Sequence, residues 1–190
     1  MPLRLREVAT TPDGMINRMR NLARNLAVKE FPGNKFGGFQ PRGSEYGFAD
    51  LRPTHIRVPV GGGFTTCFGR WTHPLLGALG ALTNWYNTSI HQDSIVLLYG
   101  MFNNNANPTI TEIQHFLGGE DLPFINLNQW NGQLEPQSYF ELGYVVGPKQ
   151  QARADLVATG ATVALTEEIG YIGEILALRR YLLAQSALAP

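Results

Sequence analysis

From about Thr54 onward the chain falls into short strand-like runs, each closed by Gly, Pro or Asn, and this pattern limits the fold more than any other feature. "HIRVPV" places Ile56, Val58 and Val60 on one face, and "TTCFGRW" follows across the turn "GGG". "SIVLLYGMF" is apolar almost throughout, as a central strand covered on both sides must be. "NPTITEIQHFLG" and "PFINLN" are joined through "GGEDL". "SYFELGYVVG" is interrupted at Gly143 and leads into the turn "GPK". "QARADLVATG" alternates, with Ala152, Ala154, Leu156 and Ala158 on one side and Arg153, Asp155 and Thr159 on the other. The tail "IGYIGEILALRRYLLAQSAL" reads as strand to about Leu176 and has helix-forming composition after it. "WTHPLLGALGALTNWYN" reads as a short helix or an insertion. About eight strands with closely spaced turns predict an all-β fold, a β-sandwich.

The start of the chain has a different character. "TPDGMINRMRNLARNLAVKEF" carries Ile16, Met19, Ala23, Leu26 and Ala27 near helical spacing, which predicts an amphipathic helix from about Pro12 to Lys29. "FPGNKFGGFQPRGSEYGF" follows, rich in Pro and Gly but too apolar for a free linker; it reads as an arm lying against something. The expected division is a basic helix and arm over 1–53 and a sandwich domain over 54–190. A chain of 190 residues can bury roughly 70% of its unfolded surface, enough for one real core.

Charge is sparse, 16% of residues against about 25% in an ordinary globular domain, and it is unevenly placed. Through Lys35 the basic residues are Arg4, Arg6, Arg18, Arg20, Arg24, Lys29 and Lys35, against Glu7, Asp13 and Glu30. From Trp71 to Pro148 there is no Lys or Arg, while Asp93, Glu112, Glu120, Asp121, Glu135 and Glu141 are present. A net charge of zero removes the simplest case for nucleic-acid binding. It also resists self-association poorly, which suits a subunit meant to assemble. No apolar run reaches the ~18 residues of a membrane span, and a signal-peptide core is not expected at the N-terminus.

The chain offers little to a catalytic reading. His55, His73, His91 and His115 stand far apart, without the His-X-His spacing of a cupin-type metal site. Cys67 is the one cysteine and has no neighbouring base, so a buried thiol is expected. "VGGGFTT" lacks the Lys of a phosphate loop, and Glu120-Asp121 and Glu167-Glu168 are adjacent strand or turn residues that point apart. Trp71, Trp85, Trp130, Tyr86 and Tyr139, set among Asn and Gln, fit either core and interface packing or a sugar-binding face. No catalytic, cofactor-binding or metal-binding residue is assigned, no cofactor is expected, and the chain reads as a non-enzyme.

The run from Asn107 to Arg179 resembles a known family. An Ile-rich strand, a Gly-Gly turn, "INLNQ", "LEP" before an aromatic strand, a Gly-Pro turn, a polar alternating strand and a final "IGYIG" strand follow in order. This order resembles the major capsid proteins of tailless icosahedral viruses with an internal membrane, of the small single-jelly-roll type that stands upright in the shell. The resemblance implies an eight-stranded jelly-roll β-sandwich, here preceded by the helix and arm. It implies a structural capsid subunit located in the virion, partnered by copies of itself and by a second capsid protein. The basic helix would then face an anionic internal membrane, and sequence-specific nucleic-acid binding is not expected. The alternatives are a carbohydrate-binding, adhesin-like β-sandwich module and a cupin-like metalloenzyme.

Overall fold

The computed structural model describes residues 5–7, 13–31, 46–56, 71, 73–74, 80, 82–104, 109–127, 137–158, 166–179 and 181–182. In chain order the elements are β1 (Leu5–Glu7), α1 (Asp13–Glu30), β2 (Tyr46–Asp50), α2 (Pro53–Ile56), β3 (His73–Pro74), β4 (Leu82–Ser89) and β5 (Ser94–Asn103). They continue with β6 (Ile110–Leu117), β7 (Glu120–Asp121), β8 (Ile125–Asn126), β9 (Gln137–Val146), β10 (Gln151–Ala158), β11 (Thr166–Glu167) and β12 (Ile169–Leu178). Two antiparallel sheets form a sandwich. One runs β1-β9-β5-β12-β2; the other runs β4-β10-β6-β7, with β8 also on β6. β3 and β11 make a separate two-stranded ribbon.

The apolar run of β5 explains the layering. Val96, Leu98 and Met101 point into the core between the sheets, together with Tyr171, Ile175 and Ala177 of β12. Ile95, Leu97 and Tyr99 point the other way, with Leu176 of β12. A strand apolar on both faces needs a cover on each. The second cover is α1, whose Met15, Met19, Ala23 and Ala27 recur every fourth residue and are all buried. Ala23 and Ala27 bring the helix backbone close to the sheet. At Gly143 of β9, whose φ is 64°, a Cβ would come within 2.8 Å of Met19 Cε, so a side chain there would hold the helix off. Burying Met15, Met19 and Phe31 contributes about 6 kcal/mol gross. That burial would be lost if the helix left the sheet, so α1 belongs to the fold.

Two bulges adjust which side chains enter the core. β12 pairs Ile172 with Gly100 and Gly173 with Leu98, leaving Tyr99 as the extra residue of β5. Tyr99 keeps the parity of Ile95 and Leu97 and faces the helix; past it the alternation is reversed, so Met101 enters the inter-sheet core. β10 pairs Ala154 with Tyr86 and Asp155 with Asn84, leaving Trp85 extra on β4. Trp85 and Tyr86 are sequence neighbours, yet both are buried.

Several expectations change. Tyr46–Asp50 is an edge strand paired with β12, not part of an arm, because Tyr46 and Phe48 pack under α1 while Ala49 touches the inter-sheet core. The sandwich therefore begins before residue 54. His55 and Ile56 form a helical turn rather than a strand: Pro53 favours helix at its first position, and His55 Nδ1 accepts the Arg52 N–H at 3.0 Å. Val58, Val60 and the "TTCFGR" run with Cys67 lie outside the described residues. Within "WTHPLLGALGALTNWYN", His73–Pro74 and Leu82–Asn87 are strand, since the bulge at Trp85 hides an otherwise alternating pattern. β12 continues to Leu178, two residues past the expected end.

Gly173 sits opposite the β5 bulge, where a Cβ would collide with the Leu97 carbonyl oxygen. Gly173→Ala is expected to cost about 2–4 kcal/mol, measured as a lowered midpoint of urea unfolding with an unchanged slope.

Candidate functional site

Three polar groupings stand out, one under α1, one on the outer face of a sheet and one inside the sandwich. The first anchors α1. Glu174 is the one charged residue in the apolar stretch of β12, and its side chain points to the helix side. It accepts from Arg20 Nε at 2.7 Å, pairs again with the second arm of the same guanidinium, and accepts from Tyr99 O–H at 2.6 Å. Burial alone would push the Glu174 carboxyl up, but the hydrogen bonds from Arg20 and Tyr99 and the Arg20 charge together hold it below its ordinary range. Tyr99 is pushed up, by burial first and then by its bond to Glu174, so it stays a donor. Arg20 and Arg24 also lie over the Phe48 ring, at 5.6 and 5.3 Å from its centre. Two of the basic residues of α1 are thus engaged with the protein's own sheet.

The second grouping is the outer face of the β4-β10-β6 sheet. Asp155, with its side chain 4% exposed, accepts from Asn84 Nδ2 at 2.8 Å and from Arg153 Nε at 3.0 Å. Arg153 spreads over Phe116 at 4.7 Å, and Asp155 keeps it protonated. One charge cancels the other, and amides surround the pair: Gln114 across from Asp155 on β6, Asn87 across from Arg153 on β4, and Gln151, whose Nε2 donates to Asn87 at 2.9 Å. This is a hydrogen-bonding surface of sparse charge, on which Glu112 of β6, two residues before Gln114, adds a carboxylate beyond the pair. Asn and Gln on such a face can exchange water for a partner's polar groups without desolvating a charge.

The third grouping is internal. Tyr86 O–H lies 2.8 Å from Tyr171 Oη, which lies 2.7 Å from His115 Nε2. Burial pushes His115 down to about 3, so it is neutral at ordinary pH. A neutral Nε2 accepting from Tyr171 leaves Tyr171 to accept from Tyr86, and the chain of donors closes. Trp85 stacks on Tyr171 at 5.3 Å, and Trp71 meets the same ring at 5.6 Å. Trp85 and Tyr86 therefore pack the core and offer no face to a sugar, while Tyr139 lines the cluster under α1; Trp130 lies outside the described residues.

The histidines do not converge. His55 is buried in the turn of α2 and pushed down to about 4 by burial and by Arg52. His91 is exposed, accepts from the Asp93 N–H at 3.1 Å and stacks on Tyr181. His115 lies between the sheets, and the side chain of His73 is outside the description. Among the described residues no three His, Cys, Asp or Glu side chains are grouped to hold a metal ion, and no helix is long and apolar enough to cross a membrane. The sequence reading passed over Glu174 and Tyr99. A lone carboxylate in "IGYIGEILAL" was the available signal, since a buried charge needs a partner.

Comparisons with known protein families, with curated proteins and with solved structures return no match.

Glu174→Gln keeps the shape and removes the charge. Because about a third of the Arg20 side chain is in water, the loss is expected to be about 1 kcal/mol. The pH dependence gives a second readout. A carboxylate held below its ordinary range stabilises fully above its unfolded pKa of about 4.3 and less as pH falls below that. Urea unfolding between pH 6 and 3 should show this contribution fading below about pH 4.3 in the wild type and missing in Glu174→Gln.

Proposed function

We propose that this chain is a structural subunit of a viral icosahedral capsid, folded as a jelly roll and assembling through its lateral faces. The strand pairing supports the jelly roll. Taking β2, β4, β5, β6, β7/β8, β9, β10 and β12 as eight strands in chain order, first pairs with eighth, second with seventh, third with sixth and fourth with fifth. The further contacts β5–β12 and β6–β10 complete the two sheets. This is one long antiparallel ribbon wrapped so that successive rungs fall in alternate sheets. Jelly rolls serve capsids, lectins and cupins alike, so function rests on surfaces rather than on the fold.

The observation that carries the reading is the asymmetry of those surfaces. The outer face of one sheet is covered by the molecule's own helix, while that of the other is rich in amides, with Arg153 and Asp155 paired and Glu112 as a further carboxylate. An upright subunit needs lateral faces that are wet when free and satisfied when neighbours arrive, and uncharged amides meet both needs. The family resemblance over Asn107 to Arg179 points the same way, to a virion shell with a second capsid protein in the lattice.

Contact with an internal membrane takes a restricted form. The apolar side of α1 faces its own sheet, so anionic lipid would meet Arg18 and Lys29 from the polar side. At about 1 kcal/mol per basic residue near a charged bilayer, one subunit binds weakly and a lattice of subunits binds firmly. Free subunits are expected to sediment poorly with vesicles containing phosphatidylserine, and assembled material to sediment with them at low but not high salt.

The central test is electron microscopy and size-exclusion chromatography of the purified protein and of its native source material. Rings, sheets or shells are expected. A strictly monomeric protein across a wide range of concentration and salt would sink the proposal.

A further inference from the structure

The sandwich has two side walls, and ring contacts establish which strands share one. His115 of β6 meets both Phe140 of β9, at 6.2 Å, and Tyr171 of β12, at 5.5 Å, whereas Trp85 of β4 stacks on Tyr171 of β12 at 5.3 Å. β6 therefore lies nearer to β9 than β4 does. The edge made by β7 and β8 and the edge made by β9 and the short β1 accordingly belong to the same wall. β1 pairs with β9 only at Ser138, Tyr139 and Phe140, so among the described residues the remainder of that edge has no strand beside it.

That wall gathers exposed apolar surface. Leu22, Leu82, Phe124 and Leu142 are the large apolar side chains that the described residues leave exposed. Leu82 lies on β4, at the far wall. Leu142 is on β9, and Phe124 is between β7 and β8. Leu22 hangs over the β9 edge, because it lies between Met19, which packs against Gly143, and Leu26, which packs against Gly147. Three of the four are thus on one wall, where scattered exposure would have spread them.

Among the residues whose side chains are described, charge is divided along the same wall. At the top, Arg18, Leu22, Asn25 and Lys29 follow one another at steps of four, three and four, which brings them to one flank of α1, and all four are exposed. At the bottom, Glu120 and Asp121 are exposed and lie close in sequence to Phe124. Arg153 acts electrostatically on Asp121 but is engaged by Asp155. A leucine between two cations thus stands above a phenylalanine beside two carboxylates. Within one molecule the two patches cannot meet, since two sheets packed about 10 Å apart stand between them.

We infer that this wall is a self-complementary interface for a second copy of the chain, related to the first by a two-fold axis along the strands. Such a half-turn exchanges top and bottom. The Arg18–Leu22–Lys29 stripe of each copy then faces the Glu120–Asp121–Phe124 segment of the other, and the two Leu142 side chains lie near the axis. This is the reciprocal pattern of an isologous contact. Lipid headgroups or nucleic acid would be attracted by the upper half and repelled by the lower; a second copy satisfies both. The inference rests on the reading of the chain as an assembling subunit and names one of its contacts.

Charge reversal tests it on the full chain. Two variants are made, Arg18→Glu with Lys29→Glu, and Glu120→Lys with Asp121→Lys, each checked for an unchanged thermal melt. Sedimentation velocity across a concentration series in low salt should show association of the wild type and, in each variant alone, a dissociation constant raised about tenfold or more. Mixing the two variants one to one should restore association as a heterodimer, since every contact again joins opposite charges. A single chain carrying all four substitutions should associate with itself. Folded variants that associate as tightly as wild type, or a mixture that stays apart, would overturn the interface. If the wild type forms shells that neither variant disturbs, the interface fails and the capsid reading stands. A wild type that never associates removes both.

Discussion

The two-sided apolar character of β5 and β12 is the constraint from which the rest of the architecture follows. Ile95, Leu97 and Leu176 on one face and Val96, Leu98 and Ile175 on the other must all leave water. The second sheet removes one set. The other set needs a third layer, and the chain supplies it from its own N-terminal segment. Helices in proteins draw most of their stability from packing an amphipathic face, so α1 owes its order to the sheet as much as the sheet owes its dryness to α1. The Arg20–Glu174–Tyr99 cluster then sets the position of the helix. Its net energy is small, but a carboxylate at the middle of a covered sheet tolerates few helix placements that leave it paired.

The parts of this fold that were legible in the sequence are those where one period governs. α1 shows its buried face through Met19, Ala23 and Ala27; β10 shows its own through Ala152, Ala154 and Leu156; β5 announces burial on both sides. The illegible parts are those where two influences overlap. Trp85 is an extra residue in β4, so the alternation of "LTNWYNTS" slips by one and resembles no strand. Tyr46–Asp50 looks like connector because Gly47 and the short span dilute its pattern, although Phe48 and Ala49 still face opposite layers. His55 follows Pro53 into a helical turn that a strand-like run of apolar residues had masked. In each case a local backbone event, invisible to a count of apolar spacing, decided the outcome.

The surfaces were legible in character but not in place. The shortage of Lys and Arg between Trp71 and Pro148 was visible from the start, and so was the abundance of Asn and Gln. Their distribution over layers was not. Folding puts Asn84, Asn87, Gln114 and Gln151 on one flat face, and it spends Arg20 and Arg24 on Glu174 and Phe48. The basic helix is consequently less basic to a partner than its composition implies, with Arg18 and Lys29 as the cations of one flank.

That redistribution bears on how a nearly neutral chain can still choose its neighbours. A protein with no net charge gains little from long-range attraction or repulsion, and at physiological salt any field fades within about 8 Å. Selectivity must then come from charges brought close together, and closeness is set by shape. A sandwich covered on one face by a helix, amide-rich and sparsely charged on the other, and divided into cationic and anionic halves along one wall supplies such shapes. The amide face can adapt to any polar neighbour, because amides donate and accept equally well. The divided wall cannot, because a wrong register sets Lys29 against Arg18 or Glu120 against Glu120. One surface thus supplies area with little preference while the other supplies preference with little area, and a closed assembly needs both.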